Sequence, residues 1–168
     1  SWGAGFSTHT SDARYLLQRG LDALRKTSRL GLQELMKRAK IEPDLLDETD
    51  IGFGIAPRLN AVGRLADAGV VVEFLTTDDL MQARILASQL ESLNNRRRAL
   101  CDQHFAEAKQ QVHDDPTLLE RSAIVLSDPD WHPGVIGIVA NRIAELYQRP
   151  TVMISAPPGE IARGDRKS

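Results

Sequence analysis

Hydrophobic and polar positions keep a helical rhythm over the first two thirds of the chain and then change to an alternating β and α pattern. Leu17, Leu21 and Leu24 recur at helical spacing. Ser11 or Asp12 suits the start of that helix, and Lys26 and Arg29 suit its end. Gly31 reads as the stop. A second amphipathic helix over 32–40 runs through Leu32, Leu35, Met36 and Ala39, with Pro43 closing the unit. The apolar run 51–56 reads as buried, with Asp50 capping a helix that enters 57–65. Pro57 would kink or end that helix and aim Arg58, Asn60 and Arg64 outward. Residues 66–75 carry Val70, Val71 and Val72, so periodicity allows helix or buried strand, and helix is the assignment adopted. From Asp78 or Asp79 a pattern without Gly or Pro continues to about Val112, with Leu86, Leu90, Leu93, Leu100 and Ala108 near one stripe. Such a helix would reach roughly 50 Å, which suits a connecting strut better than the wall of one core.

Beyond Pro116 the residues 122–127 read as a buried strand, 135–147 as a helix and 151–155 as a second strand, one βαβ unit with parallel strands. Pro157-Pro158-Gly159 turns the chain, and 160–163 starts a third strand. The predicted class is therefore α/β: an N-terminal helical segment and a long connecting helix, then a partial α/β domain. One crossover and a half would leave a raw sheet edge, so truncation at the C-terminus is expected, with partner strands beyond Ser168. The expected divisions are an irregular arm 1–11, a helical segment 12–77, the long helix 78–115 and the partial α/β domain 116–168.

Composition narrows the function classes. The chain has 168 residues and a formal net charge of −2, so any basic surface is local, as at Arg96-Arg97-Arg98 and at 163–167. Its single cysteine, Cys101, excludes an intrachain disulfide framework and a cysteine-built zinc site and fits a reducing, cytoplasmic compartment. No apolar run approaches the length of a membrane span, and no membrane partner is expected.

Two stretches carry candidate chemistry. Pro57-Arg58-Leu59-Asn60-Ala61-Val62-Gly63-Arg64-Leu65 sets two arginines and an asparagine among small and apolar residues. Arginine forks suit phosphate or carboxylate oxygens, and an ordinary salt-bridged helix end is the competing reading. The loop Asp128-Pro129-Asp130-Trp131-His132-Pro133-Gly134-Val135-Ile136-Gly137 falls at the carboxyl end of a parallel strand, where open α/β sheets place ligands. Gly134 and Gly137 allow close backbone approach, and His132 either donates to a phosphate oxygen or caps the helix beside Trp131. Arg96, Arg97 and Arg98 splay around the long helix, as a solvated face or as an occasional phosphate contact.

The first stretch, followed about sixty-five residues later by Trp131-His132-Pro133-Gly134-Val135-Ile136-Gly137-Ile138-Val139-Ala140 and then Arg149-Pro150, resembles the RecJ family of single-stranded-DNA exonucleases. The likeness runs from about Asp12 to Gly164. That family belongs to the DHH phosphoesterase superfamily, in which a first domain holds two divalent metals and a second, DHH-associated domain binds the phosphate backbone. The resemblance implies that Arg58, Asn60 and Arg64 face the site between domains, that His132 and Gly134 do likewise, with His132 in a supporting catalytic role, and that 78–112 is the connecting helix. Lys167 and Ser168 carry over only weakly. The family pattern after Ala162-Arg163-Gly164 is Ser, a variable residue, Arg, Ser, whereas Asp165 stands here in place of the first hydroxyl, and a carboxylate there would repel a phosphodiester.

The family's metal-binding aspartates and paired histidines lie upstream of anything present. His113-Asp114-Asp115 sits at the end of the long helix and reads as a surface terminus. Divalent Mn or Mg is thus implied for the full-length family enzyme, and none bound by this chain alone. The implied function is part of a metal-dependent exonuclease of DNA repair and recombination, 5′ to 3′ by resemblance, that supplies phosphate-binding groups. Its implied partners are single-stranded DNA and a missing DHH domain in cis or trans, and the isolated chain is expected to be inactive. The alternatives are a non-catalytic module that binds single-stranded nucleic acid or docks on a partner, and a DHH-type phosphodiesterase acting on small oligonucleotides.

Overall fold

The computed structural model describes residues 11–159 and 161–167, the side chains of Ser11 and Lys167 excepted. Of the expected features, the arm 1–10, Glu160 and Ser168 lie outside the described residues. The chain is largely helical with a small mixed sheet, the α/β class that the pattern predicts. Two compact units divide it between Asn95 and Arg96.

In the first unit, α1 (Ser11–Arg25), α2 (Leu30–Arg38), α3 (Ala56–Leu65) and α4 (Gly69–Thr76) pack with the first part of α5 (Leu80–Asp114). Helical spacing turns Leu21, Leu35, Met36, Val62, Phe74, Leu86 and Leu90 into one buried cluster. Residues 69–76, ambiguous by periodicity, are helical, and only Phe74 in α4 is fully buried.

Three local expectations need correction. Gly31 does not stop a helix: it is the second residue of α2, and α1 has already ended at Arg25. Its role is tertiary, because a Cβ there would overlap the carbonyl oxygen of Phe74. Pro57 does not end a helix either. It occupies the first turn of α3, where no N–H is required, directly after a π-helical turn, Asp50–Ile55. Within that turn Ile55 is buried, but Phe53 is 72% exposed, so the run 51–56 is not uniformly interior.

α5 spans 35 residues, as the unbroken pattern predicts, and the division between the units falls inside it. Ala83, Leu86, Ala87 and Leu90 serve the core of the first unit. Cys101, His104, Ala108 and Val112, spaced by three and four residues, are buried in the second. In the second unit, β1 (Ile124–Asp128) pairs in parallel with β2 (Thr151–Ser155) through α6 (Ile136–Tyr147), the expected βαβ unit. β3 (Arg163–Lys167) pairs antiparallel with β2, in register Met153 with Asp165 and Ser155 with Arg163. The third strand thus starts at Arg163, where the expectation ended. α6 buries Ile136, Val139, Ala140 and Ile143, and β2 buries Thr151, Met153 and Ser155 at alternate positions.

Candidate functional site

Each unit carries part of the predicted chemistry. In the first unit the helical turn of α3 separates the motif into two faces. Ala61 and Val62 are buried, while Asn60 and Arg64, four residues apart, are exposed on one side. Arg58 lies on the other side, contrary to the expectation that Pro57 aims it outward. Its guanidinium donates to both carboxylate oxygens of Glu91 and to the Gly54 carbonyl, and its side chain is only 11% exposed. The competing salt-bridge reading therefore describes how Arg58 is held, and Asn60 and Arg64 are the members of the motif on the exposed face.

In the second unit the His132 loop is built at the carboxyl ends of β1 and β2. Asp128 accepts the Asp130 N–H at 2.8 Å and turns the chain out of β1. Ser155, at the end of β2, donates its hydroxyl to the Trp131 carbonyl at 2.6 Å, and Trp131 is buried. The Gly134 N–H donates to His132 Nδ1 at 3.0 Å. His132 is thereby the local cap that one reading predicted. Because Nδ1 accepts, the proton of the neutral ring is on Nε2, and no hydrogen bond to Nε2 forms among the described residues. The same ring can thus cap its loop and still donate to an anionic oxygen.

Burial first, and then the positive charge of Arg96, hold the His132 imidazole below its ordinary pKa of about 6.5. Of the three consecutive arginines, Arg96 is the one whose field reaches this ring. Linkage gives the sign of the pH effect. Below about 6.5 the unfolded chain binds a proton at His132 more readily than the folded chain, so stability falls as pH drops from there through the lowered folded pKa. The urea midpoint is expected to be lower at pH 5.5 than at pH 7.5. His132→Asn should flatten that difference, and an unchanged slope in the variant would contradict the assignment.

Behind the loop lies a cluster that the sequence reading missed. His104, 2% exposed on α5, has Nδ1 2.9 Å from Glu107 Oε2, and its Nε2 receives the His132 N–H at 3.1 Å. The Trp131 indole N–H donates to the same Glu107 oxygen at 2.9 Å. Burial would raise the Glu107 carboxyl, but hydrogen bonds from Gln103, His104 and Trp131 outweigh it, and the pKa is lowered. The available sequence signal was the spacing of Cys101, His104, Ala108 and Val112, which sets His104 on the inward face of α5.

Asp165, on the face of β3 that meets α6, lies over the first turn of that helix. A Cβ on Gly137 would coincide with its carboxylate, and its other oxygen accepts the Arg166 N–H at 2.8 Å. A negative group suits a helix N-terminus, so Asp165 occupies the place where a ligand anion would be favoured. Lys167 is in β3, and Ser168 lies outside the described residues. Among the described residues no group of three or more His, Cys, Asp or Glu is arranged to hold a metal ion. His113 and Asp114 close α5 as a helix terminus. No helix among the described residues is long and apolar enough to cross a membrane.

A βαβ unit on a long helix, with a capped histidine loop at the carboxyl end of its first strand, defines the chain as part of an α/β protein. No family model matches the chain. It is related, in sequence and in fold, to a segment of RecJ, a single-stranded-DNA-specific exonuclease. It is 36% identical to RecJ of Bacillus subtilis (strain 168) over 156 residues, 92% of this chain and 20% of that protein. Against RecJ of Escherichia coli (strain K12) it is 36% identical over 154 residues, 88% of this chain and 26% of that protein. The chain thus spans about a quarter or less of the relatives' length. Among solved structures, RecJ of Thermus thermophilus in complex with Mg²⁺ matches with a TM-score of 0.71 and 34% identity, over 85% of this chain and 22% of that one. An exonuclease RecJ bound to manganese matches with a TM-score of 0.73 and 35% identity, over 87% and 38%. The divalent ions belong to those relatives.

Proposed function

We propose that this chain supplies phosphate-gripping groups to a RecJ-type exonuclease that hydrolyses single-stranded DNA from the 5′ end in repair and recombination. The observation that carries the reading is the His132 loop: a neutral ring, held by its own Nδ1 cap, presents Nε2–H at the carboxyl end of a parallel strand. Gly134 shapes that loop, and Arg96 adds positive charge to it. Asn60 and Arg64 supply donors from α3 in the other unit, with Arg58 holding that helix through Glu91. The sequence likeness to RecJ over most of the chain supports the same substrate. Water activation and metal chemistry then belong to a DHH-type domain supplied in cis or trans, and the chain alone grips without cutting.

Fluorescence anisotropy with a labelled oligodeoxynucleotide tests this. Single-stranded DNA is expected to bind with an affinity that falls steeply with salt, each lost phosphate contact lowering the log–log slope by about 0.7. Arg64→Ala should weaken binding about tenfold, the scale of one charge-assisted hydrogen bond. Asp165→Ser should strengthen it about fivefold by removing one screened like charge. In the same solutions with Mn²⁺, release of nucleotides is expected to be absent. Salt-insensitive binding, or nuclease activity that Arg64→Ala abolishes, would overturn the assignment.

A further inference from the structure

We propose that Glu107 and His104 are positioning residues, whose joint task is to fix the conformation in which the His132 loop presents Nε2–H to an anionic oxygen. This rests on the reading of that loop as a phosphate grip and extends it to two side chains that touch no ligand themselves.

The acceptors dictate where the protons sit. An ionised carboxylate only accepts, so the 2.9 Å contact between Glu107 Oε2 and His104 Nδ1 requires the proton on Nδ1. The neutral ring then has a bare Nε2, and that atom is the acceptor for the His132 backbone N–H at 3.1 Å. With the ring reversed, two N–H donors would face each other inside a buried site. Glu107 therefore chooses the tautomer of His104, and the tautomer chooses whether the loop can close. The Trp131 N–H on the same oxygen ties the residue before His132 to the same carboxylate. Two consecutive loop residues thus report to one carboxylate one turn along α5 from His104. From there the order continues outward: the fixed His132 backbone lets Nδ1 take the Gly134 N–H, and only Nε2–H is left to face a ligand.

The decisive variant is Glu107→Leu, which removes the one acceptor that both the His104 Nδ1–H and the Trp131 N–H use. Long-range ¹H–¹⁵N spectra of the full chain with ¹⁵N-labelled histidine, at pH 7.5 and without nucleic acid, read both tautomers directly. We expect Nδ1–H at His104 and Nε2–H at His132 in the unsubstituted chain. In Glu107→Leu nothing holds the proton on Nδ1, so an Nε2–H population should appear at His104, and exchange of the His132 amide should accelerate about tenfold, the loss of one hydrogen bond. Trp131→Phe removes a donor but keeps the carboxylate, so His104 should stay Nδ1–H in that chain. Nε2–H at His104 in the unsubstituted chain, a His104 wholly Nδ1–H in Glu107→Leu, or a reversed tautomer in Trp131→Phe would each overturn the inference. If Glu107→Leu does not fold, the other two chains still decide it. Expected tautomers in a chain that fails to bind single-stranded DNA would remove the phosphate reading and leave the proton arrangement standing.

Discussion

Gly31→Ala is expected to destabilise the first unit by about 3 kcal/mol, the upper range for forcing an atom into a packed core. The added methyl would overlap the Phe74 carbonyl oxygen, and the Phe74 ring edge lies 3.0 Å from the same position. Backbone is the first obstacle, so no rotamer change relieves it; α2 and α4 would have to move apart. Phe74 is fully buried, and its displacement would be felt by the Leu35, Met36 and Leu90 cluster. Gly20→Ala is the control. Gly20 lies inside α1, an added Cβ meets nothing within 4 Å, and alanine there should stabilise by about 0.5–1 kcal/mol through helix propensity. Urea unfolding followed by circular dichroism reads both. Equal shifts in the two variants would show that close approach is not what Gly31 provides.

Arg58→Ala is expected to cost about 2–3 kcal/mol, somewhat below the usual loss on breaking a buried ion pair because Glu91 is 25% exposed. Truncation leaves the Glu91 carboxylate partly buried without its guanidinium and frees the Gly54 carbonyl at the π-helical turn. Most of that cost is the stranded charge, so Arg58→Met combined with Glu91→Leu should recover much of the stability that Arg58→Ala loses. Arg58→Ala should lower the urea midpoint while leaving the salt slope of DNA binding near its original value, and Arg64→Ala should lower that salt slope. A large change in salt slope for Arg58→Ala would place its guanidinium on phosphate instead of on Glu91.

The elements legible in the sequence were those whose cause is local. The apolar runs expected at 122–127 and 151–155 and the helix between them follow from local composition and rhythm, and the length of α5 follows from thirty-five positions without Gly or Pro. The His132 loop was legible because a loop after a parallel strand has a known place in such sheets. What escaped was set by partners distant along the chain. Gly31 carries the same letter as a helix stop, and only Phe74 shows that the glycine is there for space. Arg58 and Arg64 look alike in the motif, and Glu91, on another helix, separates them. His104 and Glu107 resemble any helical surface pair until Trp131 buries one and binds the other. β3 was misplaced because Arg163, Asp165, Arg166 and Lys167 offer no apolar rhythm, and its strand conformation follows from pairing with β2.

That strand also has a colloidal consequence. β3 is the last in the sheet order, so among the described residues its outer side has no neighbour. Two copies meeting there in antiparallel register about Asp165 would set Asp165 against Asp165, like charge on like charge. The last described strand is thus a poor template for a second molecule. The charges that deprive β3 of an apolar rhythm are the same ones that oppose such a pairing.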